Sequence, residues 1–109
     1  MSSDESTSRV RRGNLWDTPA PREGEDVDRV VQHRGVTIEQ IVSGVVDVPL
    51  DFDQHFDEWV TVVEGAAVLR VGGEDTSMAP GRWLFLPRNT PHRLVSVDPG
   101  TRWLAVMIE

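Results

Sequence analysis

From Gly35 onward, glycines and prolines cut the chain into segments too short for helices of ordinary length. The pieces are "VTIEQIVSG", "VVDVPL", "EWVTVVEG", "AAVLRVGG", "RWLFLP", "HRLVSV" and "TRWLAVMI". Each is rich in β-branched or aromatic residues, which suit a pleated, half-buried surface. Breaks every roughly 8–12 residues predict an all-β sandwich or barrel. "VGGED" places two glycines before two acids and predicts a hairpin turn after "AAVLRV". Trp59, Trp83 and Trp103 fall in three of the segments, where core packing is expected.

The N-terminal third reads differently. Residues 1–13 are Ser-rich and charged, with too little apolar surface to offset the entropy of ordering, so a disordered tail is expected there. A single domain is expected over residues 14–109. Leu15 and Trp16 are expected to pack onto it, with Pro19 and Pro21 holding the following chain extended. In "EDVDRVVQHRG", Val27, Val30 and Val31 recur at helical spacing. Acids open the segment and Arg34-Gly35 closes it, so one short N-terminal helix is predicted.

With 109 residues the chain has the length of one domain. It carries 11 basic and 18 acidic side chains, a net charge of -7. That balance argues against a nucleic-acid partner, whose phosphates are bound mainly by Lys and Arg. The absence of cysteine excludes disulfides and thiolate metal sites. No apolar run approaches the ~20 residues of a membrane helix, and no leader-like stretch opens the chain. A cytoplasmic protein is the expectation.

"EWVTVVEG" and "APGRWLFLPRNTPHRLVSV" resemble the two motifs of the cupin superfamily. In the second motif Gly81, Pro87 and His92 hold the family positions. Asn89 stands where the inner glycine belongs, and Asn is the usual substitute at positive φ. Ser96 replaces the motif's final Asn. In the first motif Glu58 and Gly65 match the closing half. The opening half wants two histidines, and either register offers only Phe52 and Gln54 or Asp51 and Asp53. The resemblance spans roughly residues 36–108 and implies a small cupin barrel, a double-stranded β-helix or jelly roll.

By that resemblance Gln54, Glu58 and His92 occupy metal-ligand positions, with His55 as a replacement. In a straight strand Gln54 and Glu58 would lie about 13 Å apart. Ligands of one ion must each come within about 2.2 Å of it, so the chain has to bend at "HFD". The set would suit Fe(II), Mn(II), Ni(II) or Zn(II). The other reading of the same residues is a hydrogen-bonded polar cluster without a metal.

Three functions remain open. One is a small-molecule binding module, with Gln54 and His92 orienting a polar group and Phe52 and Trp103 supplying burial. The depleted histidine set favours it. The second is a metal-dependent enzyme of oxygenase, isomerase or lyase type. The third is a partner-binding barrel. A homodimer is expected under each, with the apolar face of "VTIEQIVSG" as a suitable interface. Among the remaining charges, Asp57 is expected to pair with Arg93, Asp51 and Asp53 to be solvated loop carboxylates, and Arg70, Arg82 and Arg102 to face water.

Overall fold

The computed structural model describes residues 9–47 and 49–109. Among these described residues, alternating apolar side chains build nine strands, β1 (Glu25–His33), β2 (Val36–Ser43), β3 (Leu50–Phe52), β4 (Asp57–Glu64), β5 (Ala67–Val71), β6 (Glu74–Met78), β7 (Trp83–Leu86), β8 (His92–Val97) and β9 (Arg102–Ile108). They form a five-stranded sheet, β1-β2-β9-β4-β7, facing a four-stranded one, β3-β8-β5-β6. All pairings between named strands are antiparallel. The fold is all-β, as the segment rhythm predicts, and is the jelly roll that the motif resemblance implies. No helix among the described residues is long and apolar enough to cross a membrane. Residues 1–8 of the expected tail lie outside the described residues.

The predicted helix is not there. Glu25–His33 is strand β1, paired along its length with β2. The register slips between Arg29 and Val31, leaving Val30 as the extra residue of a β-bulge. Val27 lies opposite Ile41 and Val31 opposite Ile38, so the slip moves them to opposite faces of the sheet. A bulged strand thereby imitates the valine spacing of a helix. Arg34 and Gly35, read as a helix end, have φ of 50° and 79°. Two successive positive φ values make the tight turn of a β1–β2 hairpin. Among the described residues the one helical element is a 3-10 turn at Leu15–Asp17, capped by Asn14, whose side chain accepts from the Trp16 amide.

The core fills the space between the sheets. Val60, Val62, Leu69, Met78, Leu86, Leu94, Trp103 and Ala105 form one buried cluster. Trp103 is 5% exposed, as expected of a core indole. Trp83 is not a core residue, being 58% exposed. The register puts Thr61 opposite Trp83, and Trp59 opposite Phe85, on the face away from Val60 and Val62. Trp59 and Trp83 meet at 6.3 Å between ring centroids on that outer face. Strand β2 is hydrogen-bonded on both sides, so the sheet's free edges are β1 and β7.

Arg102, expected in water, is 6% exposed on the same outer face. The segment around the 3-10 turn lies over it. Arg102 Nη1 donates to the Leu15 carbonyl at 2.6 Å and to Gln40 Oε1 at 2.8 Å, and its guanidinium sits 5.5 Å from the Trp16 ring centroid. Gln40 Nε2 in turn donates to Thr18 and Asp28. Leu15 and Trp16 therefore reach the domain largely through a backbone carbonyl and a cation–π contact.

Candidate functional site

Strands β3 and β4 belong to different sheets, so the chain must cross the barrel mouth between them. It does so at the bend His55–Phe56, the place where the ligand spacing demands one. The bend is pinned by the Asn89 amide donating to the Gln54 carbonyl at 2.6 Å. Asn89 has φ of 59°, the left-handed conformation expected of its substitution for glycine. The two motifs thus meet at a hydrogen bond between their loops.

Above the core lies a cavity of about 200 Å³. Val60, Leu69, Leu86, Leu94 and Trp103 belong both to its lining and to the core cluster, so its floor is well packed. Phe52, Gln54, Glu58, His92 and Trp103 all line it, which brings together five of the six residues singled out in the sequence. His55 does not. It is exposed, sits outside the lining and makes an edge contact with Phe56. Its position in the bend turns it away from the mouth.

Phe52 and His92 face each other across β3 and β8, with rings stacked 5.4 Å apart. His92 Nδ1 lies 2.9 Å from the Thr90 carbonyl oxygen. A carbonyl only accepts, so Nδ1 carries the hydrogen and Nε2 is the nitrogen left for a ligand. Glu58 is 8% exposed and accepts no hydrogen bond among the described residues. Burial raises its pKa above the ordinary 4.5; His92 opposes that shift and Glu39 adds to it.

The sign follows from linkage. The folded state resists ionising Glu58, so stability should fall as pH rises from 4.5 through the raised folded value and then level off. Glu58→Gln removes this contribution. The variant should gain stability over the wild type across that window and keep the gain at neutral pH. Urea denaturation of both proteins from pH 4 to 8 checks it. A difference that shrinks with rising pH would contradict the burial effect.

Glu25 and Glu39 also line the cavity. The sequence reading missed both because it placed Glu25 at a helix start and gave Glu39 no role. Glu25 closes a relay: Trp103 Nε1 donates to Ser43 Oγ at 3.2 Å, and Ser43 Oγ donates to Glu25 Oε2 at 2.6 Å. The relay orients the indole that walls the cavity. The polar–apolar alternation of a β1–β2 hairpin was the signal that could have found both acids.

Outside the cavity, Arg93 forks onto Asp51, its direct cross-strand partner, at 2.6 and 3.1 Å. Asp57 instead accepts from the Arg88 amide at 2.9 Å. The expected Asp57–Arg93 pair is thus replaced, because β3 and β8 align Asp51 with Arg93. The fork also holds Asp51 below the ordinary carboxylate range. Arg70 makes a similar fork to Asp75.

As a metal site the donor set is sparse. Among the described residues no three His, Asp or Glu side chains are grouped to hold an ion. Glu58 and His92 supply two strong donors and Gln54 a neutral one. His92 Nδ1 on a backbone carbonyl is the outer-sphere arrangement that metal-bound imidazoles show. The residues therefore fit a weakly held divalent ion.

Comparison with known proteins agrees with the fold. No curated protein matches the chain significantly. A Ralstonia eutropha JMP134 structure, bearing the provisional name mannose-6-phosphate isomerase, is 33% identical. It covers 92% of this chain and 99% of its own, with a TM-score of 0.82. KdgF from Halomonas sp. shares the fold at 20% identity, covering 78% of this chain and 80% of its own, TM-score 0.71. The cupin domain of an XRE-family transcriptional regulator from Enterobacter cloacae does so at 14% identity, covering 80% and 98%, TM-score 0.68. The family described as "Cupin domain" matches residues 38–107. With the jelly roll, the two facing motifs and this match together, the chain belongs to the cupin superfamily.

Proposed function

We propose that this small cupin binds a small molecule in the barrel mouth and holds a divalent transition metal there weakly. The carrying observation is the cavity itself, with the unpartnered Glu58 carboxylate beside an imidazole of fixed tautomer. Phe52 and Trp103 bury the ligand's apolar part, and Gln54 and His92 orient its polar group. Gln54, Glu58 and His92 would hold the ion, which when bound supplies Lewis-acid polarisation. The name of the Ralstonia protein raises a second reading, an isomerase acting on a sugar phosphate. No Arg or Lys lines the cavity to hold a phosphate, and this favours the binding reading.

Protein purified without a chelating tag is expected to carry transition metal below stoichiometry by elemental analysis. His92→Ala is expected to weaken Mn(II) binding about 10–100-fold, the scale of losing a donor's support or more. No metal, no co-purifying small molecule and no Mn(II) binding under any condition would overturn the reading.

Assembly belongs to the same proposal. Trp83 and Phe85, 58% and 50% exposed, form an apolar outer face beside Trp59 that a second copy would cover. Light scattering should give twice the chain mass of 12.2 kDa, and Phe85→Glu should return the monomer. A monomeric wild type would remove this part.

A further inference from the structure

We infer that the cavity selects an organic cation: a small molecule presenting an ammonium group on an apolar body. The inference rests on the binding reading above and adds the charge of the ligand.

Three carboxylates line the cavity, Glu25 on β1, Glu39 on β2 and Glu58 on β4. The lining's one basic side chain is His92 on β8, and it contains no Arg or Lys. Glu25 is engaged by the Ser43 hydroxyl. Glu39 and Glu58 accept no hydrogen bond and form no ion pair among the described residues. Glu58 is over nine-tenths buried, and it lines the cavity. A carboxylate as buried as Glu58 is costly without a partner, and a cation entering the cavity supplies that partner, with the half-buried Glu39 adding to the same field. An anion would meet the same field with the opposite sign.

The neighbouring cations do not alter this balance. Arg70 and Arg93 border an adjoining groove that shares Phe52 and His92 with the cavity. Both guanidiniums are already forked onto Asp75 and Asp51. Phe52 and Trp103 add aromatic surface, which attracts cations through the ring quadrupole and accepts an apolar body. The volume of about 200 Å³ is enough for one small ring, since a cavity of about 150 Å³ binds benzene.

Benzylamine, benzyl alcohol and benzoate share one ring and differ in charge at neutral pH. The test titrates each into the full chain in buffer with EDTA. Binding is read by calorimetry and by NMR shifts of the Trp103 indole and His92 ring. Benzylamine is expected to bind at least tenfold more tightly than benzyl alcohol, and benzoate not measurably. Glu39→Gln is expected to weaken benzylamine at least about threefold more than it weakens benzyl alcohol. Benzoate binding as tightly as benzylamine would overturn the cation selection and leave the small-molecule reading standing. Failure of all three to perturb Trp103 or His92 would overturn both. Equal loss of amine and alcohol in Glu39→Gln would remove Glu39 from the selection and overturn the assignment.

Discussion

Gly65→Ala is expected to lower the stability of the domain by about 3 kcal/mol, from strained backbone and overpacking together. Two causes act at this position. Gly65 has φ of 96°, outside the range an L side chain adopts without strain. A Cβ there would also run into Thr101, lying 2.7 Å from its Cα and closer still to its Oγ1. Thr101 cannot step aside easily. It is fully buried, and its hydroxyl bonds to Asp98 and to both the amide and the carbonyl of Ala66. Thermal unfolding should show a Tm lower by about 15 °C, given the usual scaling for a domain of this size. Gly81→Ala is the control. Gly81 also has positive φ, at 90°, but nothing lies within 4 Å of its would-be Cβ. It should lose only the backbone part, about 1–2 kcal/mol. Equal losses at the two sites would show that Thr101 yields and that the packing explanation fails.

Arg102→Ala should cost about 2–3 kcal/mol and release the segment at residues 14–18 from the sheet. The arginine is buried, so truncating it leaves a void, strips Gln40 Oε1 of its donor and leaves the Leu15 carbonyl only the longer bond from the Thr18 amide. Buried acceptors without donors are costly. Its own Nε has no hydrogen-bond partner and lies 3.8 Å from a Glu64 carboxylate oxygen. The ion pair is therefore a minor contributor, and packing and the two Nη1 bonds carry the effect. Arg102→Met keeps most of the volume and should cost less than Arg102→Ala. Urea denaturation measures the stability, and hydrogen exchange at the Asp17 and Thr18 amides reports release of the segment. Unchanged exchange in Arg102→Ala would mean that the segment is held by other contacts.

The outer arginine also shows why some expectations failed. A strand's alternation tells which residues share a face, but not which face is later covered. Arg102 alternates with buried Trp103 and so reads as solvent-facing. A segment 87 positions away in sequence covers it instead. Trp83 fails in the opposite direction: its composition suggests core, while its register places it outside. The β1 helix failed for a local reason, since one bulged residue converted a two-residue period into a near-helical one.

The all-β class and the hairpin glycines were legible from residue order, because they depend on local chemistry: β-branched alternation and turn residues. The bend before Glu58 and the left-handed Asn89 were legible through the motif resemblance, which supplied the ligand spacing and the glycine position. The meeting of Phe52, Gln54, Glu58, His92 and Trp103 in one cavity was legible only through motif resemblance. The company of Glu25 and Glu39 goes unread once the β1 bulge disguises the hairpin's alternation as a helical one. That company is a product of sheet order, which sets β1 and β2 beside β9 and sends their inner faces toward β3 and β8. Charge in a pocket is a sum over residues from distant strands, and long-range pairing, rather than local propensity, decides which of them enter the sum.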